Sequence, residues 1–203
     1  MNDPEQIGLE VLYNQKSLAK DWGRCSLLCN QASVAKNYRS GVSLLKEVFD
    51  QRLAHIMAPQ HGYWSTEQDN MIETPHDNWS DSSLKIYSLY SETRTPSSIM
   101  LSTIDTIIID LQIVGCRVYT FKWTLFNCLH AAQKHNKKIV VLDRPNPLGG
   151  KLIEGSCLDL KLSSFVGMYP LPMRHALTIG ELANLFNQDI GADLTVIPMK
   201  HWD

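Results

Sequence analysis

Residues able to donate, accept or transfer protons recur in this chain at one kind of place, immediately after an apolar run. Asn30 follows residues 24–29 (RCSLLC), and Gln60 and His61 follow Leu53 to Ala58. Asp110 and Gln112 close the run 104–111 (IDTIIIDL), and Asp143 and Arg144 follow Ile139 to Leu142. Carboxylates so placed can serve as general acid, base or nucleophile, and amides and imidazoles can hydrogen-bond hydroxyl groups. Further carboxylates, Glu67, Glu73 and Glu154, fall in segments without periodicity. If the apolar runs are parallel strands, their ends form one rim, the edge at which open α/β sheets bind ligands.

Several chemistries lack their motifs. No G-x-G-x-x-G follows the first apolar run, and no G-x-x-x-x-G-K-[ST] or H-E-x-x-H occurs. Gly149-Gly150 follows a strand-like run, but Pro147 precedes it and no helical pattern follows. No phosphate cradle, dinucleotide or other cofactor is therefore expected. His61, Asp69, His76 and Asp77 match no metal-ligand spacing, and none of the five cysteines forms a CxxC pair, so no metal centre is expected. Cys25, Cys29, Cys116, Cys128 and Cys157 read as small core residues of a reduced protein. The formal net charge of −2, without a Lys/Arg block, gives no footprint for nucleic acid. No apolar run is long enough for a membrane helix. Met1 to Gln6 carry no apolar leader. The chain as it stands is expected to be cytoplasmic, with a periplasmic or secreted location open if a leader has been removed.

The elements that must position the rim alternate. Ser40 caps a helix carrying Val42, Leu45, Val48 and Phe49. Residues 59–82 read as a long polar and aromatic loop, and 84–90 (LKIYSLY) alternate like a strand. Thr95-Pro96 looks like a helix start, with proline in the first turn. Leu125, Cys128, Leu129 and Ala132 recur at helical spacing within 121–135. Thr178 and Glu181 form a capping box ahead of Leu182, Leu185 and Phe186. Strands are expected near 25–29, 53–58, 105–111, 138–142 and 193–198. This predicts an α/β fold: a mainly parallel, Rossmann-like, three-layer sheet with helices on both faces.

Seven blocks then carry a family resemblance: 28–33 (LCNQAS), 59–62 (PQHG), 87–90 (YSLY), 109–120 (IDLQIVGCRVYT), 141–150 (VLDRPNPLGG), 165–175 (FVGMYPLPMRH) and 178–187 (TIGELANLFN). In order and content the chain resembles the NamZ-like exo-β-N-acetylmuramidases, a family long catalogued as a domain of unknown function. The resemblance runs from about Gly8 to Trp202. It implies a glycoside hydrolase that releases N-acetylmuramic acid from the non-reducing end of peptidoglycan fragments. It also implies a Rossmann-like first domain, residues 1–203 here, whose cleft is completed by a smaller C-terminal domain that this chain lacks.

Two positions depart from the family pattern. Gln60 stands where the family commonly has Glu (P-E-H-G), and Ile113 where it commonly has Asp. A glycosidase needs an acid for the leaving oxygen and a group to attack or stabilise the oxocarbenium centre. The expected catalytic set is therefore drawn from Asp110, Glu154, Glu67, His61 and Gln60. The expected substrate contacts are Asn30, Gln112, Arg117, Tyr119, Asp143, Arg144, Asn146, Arg174 and His175. Arg117 or Arg174 is the expected fork for the lactyl carboxylate of muramic acid. Trp64 and Trp79 could line a sugar pocket or anchor their loop. The other reading open at this point is a carbohydrate-binding domain whose catalytic acid has been lost. Either way the expected partners are a muramic-acid glycan or muropeptide and the second domain, docked on an exposed apolar patch beside a cleft that gathers Asn30, Gln60, His61, Asp110, Gln112 and Asp143.

Overall fold

The computed structural model describes residues 5–66, 73, 75–79 and 84–202. The helices are α1 (Gly8–Asn14), α2 (Gly41–Phe49), α3 (Ser98–Leu101), α4 (Phe121–Lys134) and α5 (Ile179–Ile190). The strands are β1 (Cys25–Cys29), β2 (Leu53–Ala58), β3 (Asp77–Asn78), β4 (Lys85–Ser88), β5 (Thr106–Asp110), β6 (Lys138–Leu142) and β7 (Asp193–Ile197). They form one sheet in the order β3-β4-β2-β1-β5-β6-β7. All neighbours are parallel except β3, which pairs antiparallel with β4. Taken as the six parallel strands in chain order, this is the 3-2-1-4-5-6 arrangement of dinucleotide-binding sheets.

Period-two alternation divides each central strand between two cores. Leu27, Cys29, Ile56, Ile108, Val140 and Leu142 pack with Leu9, Leu12, Val42, Leu45 and Phe49 of α1 and α2. Leu28, Met57, Ile107, Ile109, Ile139 and Val141 pack with Trp123, Leu129, Leu182 and Phe186 of α4 and α5. Helices thus cover both faces, and strands buried on both sides read as unbroken apolar runs.

The helix starts follow their caps. The Ser40 hydroxyl accepts from Ser43 N at 3.1 Å, and the Thr178 hydroxyl accepts from Glu181 N at 3.1 Å while the Glu181 carboxylate accepts from Thr178 N at 2.8 Å. The helix placed at Thr95-Pro96 begins later. Ser97 is its cap, accepting from Met100 N, and proline precedes the cap. The loop 59–82 contains the short edge strand β3, and α1 adds a helix with no counterpart in the sequence reading. Gly8 is where α1 meets the sheet: a Cβ there would collide with backbone at Asp143, Ile197 and Leu142, so only glycine lets α1 lie against the ends of β6 and β7. Cys25, Cys29 and Cys128 are buried, and burial raises their thiol pKa values, that of Cys25 to about 12. The core reading does not extend to Cys157, which is exposed, or to half-buried Cys116.

Candidate active site at the carboxyl rim

The register aligns the strand ends. Cys29 pairs with Asp110 between β1 and β5, and Leu28 with Met57 between β1 and β2. The chain runs outward from β1 through β2 and β4, then returns to β5 on the other side of β1. The switch point therefore lies between Asn30 and Asp110, where such sheets hold ligands. Here the protein fills that point itself. Asp110 is 0% exposed, and both its carboxylate oxygens accept from Arg144, at 2.6 Å from Nε and 2.9 Å from Nη2. Arg144 also donates to the Val34 carbonyl at 3.2 Å, and the Ser33 hydroxyl donates to the Asp110 carbonyl. Gly41 passes so close that a Cβ would lie 2.8 Å from Asp110 Oδ2. A fork of this kind holds both partners' charge and fixes the β1–α2 loop across the crevice.

The six residues expected in one cleft share this rim but do not share an open cavity. Asn30 is buried, and its side chain accepts from Ala32 N at 3.2 Å in a local turn. Gln112 donates from its amide to the carbonyls of Ile113 and Pro145, each at 2.8 Å. Gln60 is 4% exposed, in a turn closed by Gly62 N donating to the Pro59 carbonyl at 3.1 Å. His61 follows at φ 71°, a left-handed conformation that costs an L-residue roughly 1–2 kcal/mol. Such strain collects at functional sites.

Only Asp143 of the six lines the large opening at the β6–β7 side of the rim, a cavity of about 990 Å³. Asn146, Gly149, Gly150, Arg174, Thr178 and Glu181 line it too, and Leu148, Leu152, Met199 and Trp202 form its apolar wall. Asp143 accepts from Gly180 N at 2.7 Å, from the Thr178 hydroxyl at 3.1 Å and from Arg144 N at 3.0 Å. Adjacent in sequence, Asp143 and Arg144 serve different partners: one caps α5, the other neutralises Asp110. Burial raises the Asp143 pKa, and the three hydrogen bonds oppose that rise.

The two arginines are already engaged. Arg117 Nη1 donates to the carbonyls of Ser156 at 2.8 Å and Leu171 at 2.7 Å. Arg174 pairs with Glu154 at 2.7 Å and donates to the Leu148 carbonyl, while its buried Nε has no partner. Arg174 lines the cavity and Arg117 does not, so Arg174 is the guanidinium placed at the opening, although its unpartnered Nε is enclosed. Glu154 stays exposed beside it. Asn146 spends its amide on the loop, donating to the Leu177 carbonyl and accepting from Leu148 N. Tyr119 packs 4.7 Å from the Phe121 ring and supports the core. Glu67, like Asp69, lies outside the described residues.

Two buried groups stand behind the rim: Lys122, which the sequence reading passes over, and His175, which it places among the substrate contacts. Lys122 is 0% exposed, and its ammonium donates to the carbonyls of Cys116, Arg117 and Tyr119. Burial lowers its pKa to about 8. His175 is 2% exposed: its Nδ1 accepts from Leu177 N at 3.2 Å, which places the proton on a buried, unpartnered Nε2. Burial first, then the nearby Lys122 charge, lowers the His175 pKa to about 4, and burial does the same to His55. Both are held neutral in the fold, whereas the unfolded chain protonates near 6.5. The unfolded state therefore binds more protons between these values, and stability is full above about pH 6.5 and falls as pH drops toward 4. We predict a loss of up to a few kcal/mol over that window in urea titrations, reduced in His175→Gln and His55→Gln. A profile flat from pH 7 to 4.5 would contradict buried neutral imidazoles.

With that geometry in place, residues 25–203 match the family model described as exo-beta-N-acetylmuramidase NamZ, N-terminal. The chain belongs to this family. It is 39% identical over 200 residues to the peptidoglycan beta-N-acetylmuramidase NamZ of Bacillus subtilis (strain 168), covering 97% of this chain and 48% of that protein. Two solved DUF1343 family proteins from Bacteroides fragilis NCTC 9343 share the fold. One has a TM-score of 0.89 at 33% identity over 100% of this chain and 52% of its own. The other has a TM-score of 0.78 at 30% identity, over 98% of this chain and 53% of its own. The chain spans about half the length of these relatives. As a NamZ-type domain it keeps the sheet order of a nucleotide binder while its switch point is filled by an ion pair.

Proposed function

We propose that this chain is the Rossmann-like half of a peptidoglycan glycosidase that releases N-acetylmuramic acid from the non-reducing end of cell-wall fragments. The observation that carries the reading is the 39% identity to a peptidoglycan beta-N-acetylmuramidase along 97% of the chain. The rim supports it: Asp143, Glu154, Gln60 and His61 offer acid, base and hydrogen-bonding groups around the strand ends, and Arg174 suits a lactyl carboxylate. Asp110, sealed against Arg144, is scaffold in this reading, and position 60 is the place of the leaving-group acid, with Glu154 and Asp143 the carboxylates to test against it. The apolar surface of Leu148, Leu152, Ile153, Leu160, Leu162 and Val166, each exposed, is the seat for the second half found in the relatives.

The test is product release from defined disaccharides by this chain continued by that second half. Free N-acetylmuramic acid should appear from substrates with muramic acid at the non-reducing end, and no sugar from those capped by N-acetylglucosamine. Release of terminal N-acetylglucosamine, or cleavage inside longer glycans, would overturn the assignment.

A further inference from the structure

Immediately after the Gln60–Gly62 turn lies a second, smaller pocket of about 180 Å³, lined by Tyr63, Trp64, Pro75, His76, Asp77 and Ile86 among others. We propose that it is a subsite for the 2-acetamido group of an amino sugar, an inference that rests on the glycosidase reading and goes beyond it. The volume falls below the roughly 300–1,000 Å³ that encloses a drug-sized ligand. It suits a substituent with the edge of its ring.

The pocket's walls are built firmly around an open ring. Trp64 is 51% exposed, yet it stacks on Trp79 with centroids 5.8 Å apart and planes 14° apart. Tyr63 meets both indoles edge-on, at 4.8 Å and 4.9 Å. Tyr63 is itself buried, and its carbonyl accepts from Gln31 N at 2.8 Å, which ties the cluster to the loop after β1. The core does not require the outer indole, since half of its surface faces water. A braced, amphipathic ring of this kind offers contact area at little entropic cost.

An acetamido group presents a methyl, one N–H and one carbonyl, and the pocket presents the complement of each. Tyr63, Trp64 and Ile86 provide apolar contact for the methyl. His76 accepts from Ser88 N through Nδ1 at 3.0 Å, so its proton sits on Nε2, a donor for the carbonyl. Asp77 uses Oδ1 to accept from Asn78 N at 2.7 Å and keeps a second oxygen as acceptor for the amide N–H. The acetamido group is borne by C2, one bond from the anomeric carbon. Seating it beside Gly62 therefore brings the anomeric carbon toward Gln60 and His61, which precede that glycine in the chain.

The test is a titration of this chain with N-acetylglucosamine, N-acetylmuramic acid and their de-acetylated counterparts, followed by saturation transfer and by indole N–H shifts. The acetyl methyl should receive the strongest transfer, and the Trp64 indole should shift. De-acetylation, Trp64→Ala or Asp77→Ala should each weaken binding by about tenfold, and Trp64→Phe by less. If Trp64→Ala unfolds the chain, Trp64→Phe, Asp77→Ala and the de-acetylated sugars still decide. Equal binding of acetylated and free-amine sugars, or binding that ignores Trp64 and Asp77, overturns the subsite and leaves the glycosidase reading standing. Binding of none of the four sugars overturns the subsite as well. Acetamido-dependent binding at Trp64, without sugar release by the longer form, upholds the subsite and removes the glycosidase reading.

Discussion

Arg144→Met should destabilise this domain by about 3–5 kcal/mol, because it leaves the Asp110 carboxylate charged, enclosed and without its cation. Asp110 is 0% exposed and accepts from Arg144 at 2.6 Å and 2.9 Å, so water cannot take the guanidinium's place without opening the crevice. For a domain of this size each kcal/mol moves Tm by roughly 2–4 °C, so the loss is visible in a simple melt. Replacing both partners, Asp110→Leu with Arg144→Met, should recover most of that loss, since paired burial is itself close to neutral against a well-packed apolar pair. The β1–α2 loop should loosen in the single variant, because Val34 loses its donors. Hydrogen exchange at Ser33 to Ala35 reports this directly. A single variant as stable as the parent would show that the crevice is wetter than its burial implies.

Gln60→Glu should raise glycoside turnover by about a hundred- to ten-thousandfold in the longer, two-half form, the usual worth of a positioned general acid. The reason lies in the burial of position 60, only 4% exposed. A carboxyl group in that setting is pushed toward its protonated form near neutral pH, the state a leaving-group acid requires. An amide has no proton of comparable acidity to give. The pH–rate profile should gain an acidic group whose loss ends activity on the alkaline side. If the parent already turns over well and Gln60→Glu slows it, the acid lies elsewhere. Amide replacement of Glu154 and Asp143 then finds it, by abolishing turnover with sugar binding retained.

The strands were legible in sequence because they are buried on both faces: β1, β5 and β6 are β-branched or leucine-rich runs of the right length. The helix caps at Ser40 and Thr178 were legible because their side chains bond their own first turns. Two elements were not. In α1 the cap position is Ile7, which offers no hydroxyl or carboxylate, and seven residues give too few turns for a periodic signal. In β3 two residues are too short to alternate. At the site, sequence placed polar residues on one rim but could not say which of them the fold itself engages. Asp110 and Arg144 are 34 residues apart, and only the strand order makes them neighbours. That Arg117, Asn146 and Gln112 bond backbone carbonyls was not legible, because side-chain polarity is visible in a sequence and the carbonyls it meets are not.

Lys122 shows how the rim stays in shape where regular structure ends. An ammonium ringed by the carbonyls of Cys116, Arg117 and Tyr119 resembles a cation in an oxygen cage, except that this one is covalently attached. Such an ion cannot be chelated, exchanged or diluted away. The order of the connection between β5 and α4 is thus independent of the ionic composition of its surroundings.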